Sequence, residues 1–129
     1  MNTKTASLIF GILFIAVGLL GFIPNPIIGD SEKAIFHADT LHNMVHIVSG
    51  VLFLLFALAA PGYAPAFLKI FGIVYLLLGI TGIAHFAMDG MGRIFGILHV
   101  NGADNFLHMG LGVAIFVAGL LPREGSELK

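Results

Sequence analysis

Four long apolar runs constrain this chain more than any single motif. They cover residues 6–23, closed by Pro24-Asn25-Pro26; residues 41–60, closed by Pro61-Gly62; residues 70–88; and residues 104–121, closed by Pro122 and a charged tail. Each is roughly 17–20 residues long, the length a helix needs to cross a hydrocarbon core of ~30 Å. The runs are continuous, whereas barrel strands would alternate, so helices are expected. A chain of 129 residues that is 58% hydrophobic and 10% charged could not hide so much apolar surface in a water-soluble fold of this size. Its partner is therefore the lipid bilayer. The expected fold is all-α, a four-transmembrane-helix bundle forming a single membrane domain over residues 1–129. A signal peptide would also begin with Lys4 and an apolar run. No small-x-small cleavage site follows, however, and the same segment recurs in mid-chain, so a retained span is expected.

That recurrence is an internal duplication. Ile9-Phe10-Gly11-Ile12 aligns with Ile70-Phe71-Gly72-Ile73, and Gly18 and Gly21 align with Gly79 and Gly82. Further on, His37, Asn43, His46 and Gly50 match His99, Asn105, His108 and Gly112. Repeat one covers about residues 6–60 and repeat two about 67–121. Two spans return the chain to its starting side, so the repeats form two tandem parallel helical hairpins about a pseudo-twofold axis along the membrane normal. The second and fourth spans then run parallel and face each other. Gly11 and Gly18 share one helix face, as do Gly72 and Gly79, which predicts close-packed seams where backbones approach in lipid.

Lys4, Lys69, Arg123 and Lys129 fall on one side, against Lys33 and Arg93 on the other. This bias predicts a multi-pass protein of the cell membrane with both termini cytoplasmic. All six His residues then lie in the outer half or outer loops, with Asp30, Glu32, Asp39, Asp89 and Asp104, and with Met44, Met88, Met91 and Met109. Residues 30–40 and 89–100 read as loops, and the apolar piece at 94–98 is expected to lie at the membrane interface. Asp39 or Thr40, and Asn101 or Asp104, are cap-type residues that can start the second and fourth helices. Asn43, His46 and Gly50 follow at i, i+3 and i+7, and Asn105, His108 and Gly112 repeat the spacing. These residues are expected to form one polar stripe facing the bundle interior.

The segments Leu41-His42-Asn43-Met44-Val45-His46 and Asn101-Gly102-Ala103-Asp104-Asn105-Phe106-Leu107-His108, together with Phe36-His37 and the glycine-bearing spans, resemble a family of small four-helix bacterial membrane proteins known only as a domain of unknown function. The resemblance covers essentially the whole length and implies an integral membrane fold without implying an activity. Asp39 stands where that family would lead one to expect Asn.

Three readings of the polar residues follow. In the first, Asn43, His46, Asn105 and His108 form a hydrogen-bonded clasp, with His37 and His99 in a second ring. The protein is then a structural or accessory subunit of a larger membrane assembly or homo-oligomer, and not an enzyme. In the second, His46 and His108 are ligands of a transition metal, a haem or a metal-centred pigment, since imidazole suits Zn, Cu and Fe and a thioether would favour Cu(I) or a haem axial position. His42 and His46 are the one i, i+4 histidine pair, but no HExxH or EF-hand pattern exists. In the third, the histidines carry protons or ions, although the inner halves of the spans offer no polar stepping stones. Ser49 lies one turn from His46 without an acid partner or nucleophile elbow, which disfavours hydrolysis. Absence of Cys excludes thiolate chemistry, and the near-zero net charge without a basic run excludes nucleic acid. Replacing His46 and His108 is expected to be more damaging than replacing His42 and His85.

Overall fold

The computed structural model describes residues 1–31, 33–86 and 91–125. Glu32, Met88, Asp89 and Lys129, which the sequence reading placed in loops, at a span end or in the tail, lie outside them. Four helices make up the described residues: α1 (Thr3–Leu20), α2 (Thr40–Ala59), α3 (Ala64–Phe86) and α4 (Gly102–Ala118). By length and composition α1, α2 and the segment Pro61–His85 can each cross a bilayer, whereas α4 is shorter. Its 17 residues still rise about 26 Å.

The helix ends differ from the apolar runs for local reasons. α1 stops three residues before Ile23 because Phe22 and Ile23 turn back onto the carbonyls of Leu19 and Leu20, and Pro24 has no N–H to continue the ladder. Asn25 holds that turn: its amide donates to the carbonyls of Leu20, Ile23 and Ile28, and its oxygen accepts from the amides of Ile27 and Ile28. α3 begins well before Ile70, so the turn expected through Pro65 is helical. A proline in a first turn removes only an N–H that has no helical partner.

The connections that follow α1 and α3 contain short paired strands. In the first, β1 (Ile28–Gly29) pairs in parallel with β2 (Phe36–His37). The second is an antiparallel hairpin of β3 (Gly92–Ile94) and β4 (Leu98–Val100), with Phe95 and Gly96 at positive φ in its turn. Residues 94–98 are therefore not a uniform interfacial segment. Ile94 and Leu98 are buried with Val100 against Leu78, while Phe95 and Ile97 are exposed.

The helices pack as two hairpins, α1 on α2 and α3 on α4, and the glycine seams are where they touch. A methyl group at Gly11 or Gly50 would meet the other's carbonyl oxygen, and the same holds for Gly72 and Gly112. Gly18 lies against the Asn43 carbonyl and Gly79 against the Asn105 carbonyl. The contacts of one hairpin thus recur in the other, residue for residue. Between the hairpins, the half of the bundle nearer the chain termini is filled by Phe10, Phe14, Phe53, Phe67, Phe71 and Tyr75. Phe14 and Tyr75 stand at equivalent positions with ring planes at 90°. At the end that carries the termini the Thr3 amide bonds the Pro122 carbonyl and Lys4 pairs with Glu124, joining the two ends of the chain.

Candidate metal centre

The helices α2 and α4 are each capped at the N-terminal end. The Asp39 carboxylate accepts from the His42 amide at 2.9 Å. Asn101 and Asp104 form a capping box, in which the Asn101 side chain accepts from the Asp104 amide and Asp104 accepts from the Asn101 amide. His46 and His108 each follow their N-cap by seven residues, and both rings are buried against the aromatic core. Their centroids are 6.4 Å apart. Phe14 meets His46 edge-on, and Tyr75 meets His108 in the same way.

His42 joins them. Its ring lies 4.6 Å from His46 and 5.5 Å from His108, and each of the three residues offers a nitrogen within 4.8 Å of the other two. All three are buried, His46 the most accessible at 6%. The expectation that separated His42 from His46 and His108 is thereby corrected, since grouping it with the exposed His85 divides one cluster. The signal was the i, i+4 spacing, which puts two residues about 40° apart on a helix.

The asparagines go elsewhere. Positions i and i+7 differ by only about 20° around a helix, but i and i+3 differ by about 60°. Asn43 and Gly50 therefore share the face toward α1, while His46 turns to the bundle centre. The Asn43 amide occupies the space a side chain at Gly21 would need, and the Asn105 amide does the same at Gly82. Neither makes the expected clasp: Asn43 Oδ1 and both polar atoms of the Asn105 amide have no hydrogen-bond partner.

The link between the repeats comes instead from the loops. The His37 amide donates to Asp104, and Asn101 donates to the Ile35 carbonyl. Arg93 reaches Asp39 at 3.4 Å. The His37 and His99 rings lie 4.0 Å apart, centroid to centroid. Asp30 is 3.8 Å from His37 Nε2. Burial, followed by the neighbouring His37 and Arg93, holds the His99 pKa below its ordinary value. Burial pushes Asp39 up, but the His42 amide and Arg93 outweigh it, leaving the carboxyl below its ordinary value.

His42 Nδ1 lies 3.2 Å from the His99 carbonyl oxygen. A carbonyl only accepts, so this nitrogen carries the proton and Nε2 presents a bare lone pair. His42 Nε2, His46 Nδ1 and His108 Nδ1 are all buried with no hydrogen-bond partner. A buried polar atom left unpaired costs ~1–3 kcal/mol, and each of the three adjoining rings carries one. A tetrahedral ion bound at ~2.0–2.1 Å would draw such nitrogens to about 3.3 Å apart.

A family model described as a domain of unknown function (DUF4383) matches residues 4–121. The chain belongs to that family. No curated protein and no solved structure matches it, so in this DUF4383 protein the residues alone must speak for chemistry. They do not suit every cofactor considered. Met44 and Met91 are exposed, and Met109 packs against Gly79, so none of them completes a thioether site. The cavity at His46, about 220 Å³, is smaller than the ~300–1,000 Å³ of ordinary ligand pockets. With Phe14 and Tyr75 braced against the rings, the described residues leave no slot there for a haem or pigment macrocycle. Below the cluster the aromatic plug closes the centre of the bundle, so no polar path runs inward among the described residues.

Proposed function

We propose that this is a multi-pass protein of the cell membrane, with cytoplasmic termini, in which His42, His46 and His108 hold one transition-metal ion near the outer face. The observation that carries this reading is the approach of one ring nitrogen from each of three buried imidazoles to within 4.8 Å of the other two, in residues that each bear a buried ring nitrogen with no hydrogen-bond partner. Three neutral imidazoles suit Zn(II), Cu(II) or a similar late first-row ion and leave a fourth position open, as in catalytic rather than structural zinc sites. The bond from His42 to the His99 carbonyl is the kind of outer contact that fixes a ligand's tautomer. Asp39 at the start of α2 supplies negative charge on the same side. A purely structural or accessory role accounts for the interlocked loops but leaves the three nitrogens unexplained.

The test is to purify the protein in mild detergent, measure its metal content, and titrate the stripped protein with Co(II) while recording the visible spectrum. One equivalent should bind with tetrahedral absorption. Outer-shell changes alone cost 10–100-fold in affinity, so His42→Ala, His46→Ala and His108→Ala should each weaken binding more than about 100-fold, and His85→Ala should not. A folded, metal-free protein that takes up no Co(II) would leave the structural role as the better account.

A further inference from the structure

An ion held by His42, His46 and His108 has to reach them through protein, since all three rings are buried. Hydrocarbon flanks the bundle of a membrane-embedded chain and excludes a bare ion. Toward the termini the aromatic residues close the centre. The described residues leave the opposite end, where the connections after α1 and α3 meet. His37 and His99 touch there, and His99 also touches the buried cluster, since its carbonyl oxygen lies 3.2 Å from His42 Nδ1. His37 is 3% exposed, and neither of its ring nitrogens has a hydrogen-bond partner. Its Nε2 lies 3.8 Å from Asp30 Oδ1. That is too long for a hydrogen bond. It falls between the ~3.3 Å separating two ligands of a tetrahedral ion and the ~4.1 Å separating two ligands straight across an ion. The Asp30 side chain is 82% exposed, so the pair meets water at Asp30 and adjoins His99 at His37.

We propose that Asp30, His37 and His99 form a second, weaker ion site, at which a transition-metal ion is taken from water before it passes to His42, His46 and His108. The inference rests on the metal reading of those three residues. A carboxylate and two imidazoles suit the same late first-row ions as the buried site. They hold an ion less firmly for two reasons. Among the described residues, only the buried three bring one ligand atom each within 4.8 Å of one another. Arg93 also stands opposite His99 on the β3–β4 ladder, and its charge repels a cation there, although Asp39 at 3.4 Å offsets part of it. Weak holding suits transit, because an ion must leave the first site to reach the second. A loop contact alone leaves both His37 nitrogens buried without a partner.

The test follows Co(II) uptake by the metal-stripped full chain in mild detergent, with stopped-flow recording of the tetrahedral absorption. Asp30→Asn, at an exposed position, should slow uptake about tenfold, the lower end of what charge at an entrance contributes. His37→Gln removes a ligand without changing the charge of a neutral imidazole, and it keeps the backbone N–H that bonds Asp104. It should slow uptake by a similar factor. Release to a chelator should slow equally in both variants, so the final spectrum and the affinity match those of the unaltered chain. Uptake at the unaltered rate in both variants, or in His37→Gln alone, would overturn the inference. Weaker affinity with faster release would overturn it too, because these groups would then belong to the buried site. Failure of the unaltered chain to take up Co(II) would overturn the metal reading, and this inference with it.

Discussion

Two glycines on one helix, Gly110 and Gly112, should respond in opposite ways to the same substitution. A methyl group at Gly110 meets nothing within 4 Å. Gly110→Ala therefore gains the ordinary helix preference for alanine, up to ~1 kcal/mol. At Gly112 the methyl carbon would lie 2.7 Å from the Gly72 carbonyl oxygen and 2.8 Å from Leu76 Cα, where about 3.5 Å is needed. These are backbone atoms and cannot rotate aside, so α3 and α4 must separate by about 0.8 Å. A gap of that size forfeits a quarter to a half of each contact's ~0.1–0.2 kcal/mol. Over roughly 30 atom pairs along the seam this comes to about 2 kcal/mol, within the usual 1–3 kcal/mol for overpacking. Gly50→Ala should behave like Gly112→Ala, because the Gly11 carbonyl oxygen would stand 2.7 Å from its methyl. The measurement is reversible unfolding in detergent followed by helix signal, comparing the variants at matched conditions. If Gly112→Ala proved as well tolerated as Gly110→Ala, the claim that the hairpin is held by backbone contact at this seam would fail.

Three further outcomes follow from the outer face. Asp104→Asn weakens acceptance from the Asn101 and His37 amides, costing about 1–2 kcal/mol; hydrogen exchange at these two amides should quicken, and unchanged protection would deny the carboxylate its linking role. The His99 pKa is depressed from 6.5 in the folded protein, so between the folded and unfolded values the unfolded chain binds more protons. That contribution to stability is whole above about pH 6.5 and declines as pH falls below it, so the unfolding midpoint should drop on acidification and drop less steeply in His99→Gln; parallel curves would refute this. With no native Cys, Lys33→Cys should react with an impermeant maleimide on intact cells, and Lys4→Cys only after permeabilisation. The reverse pattern would invert the orientation.

The architecture was legible in the sequence because in lipid a continuous apolar run leaves few alternatives to a helix, and because glycines at fixed intervals mark where backbones meet. Gly11, Gly50, Gly72 and Gly112 lie in those contacts. The β3–β4 hairpin was not legible: its turn places Phe95 at positive φ, a conformation that residue does not advertise. The candidate site was legible in half. His46 and His108 announced themselves by repetition, whereas Asn43 and Asn105 repeat just as faithfully and serve their own hairpins. Repetition identifies positions under the same local demands; it does not say whether the demand comes from within a hairpin or from between two.

His42 was obscured for a related reason, and that reason bears on function. Its counterpart in the second hairpin is Asp104, which turns its carboxylate to backbone amides of both repeats. A strictly symmetric bundle would set two imidazoles across the axis, with any further ligands in matching pairs. Here the position one turn outward from His46 carries a third imidazole, and the position one turn outward from His108 carries the carboxylate that ties the loops together. The same division recurs deeper, where Tyr75 and Ser49 bring their hydroxyls to 3.5 Å on one side while Phe14 and Leu111 line a cleft on the other. The described residues of one hairpin pair thus hold one cluster of three histidines. A clasp between matched residues needs no such asymmetry, whereas a site of three imidazoles drawn from two hairpins cannot be built without it.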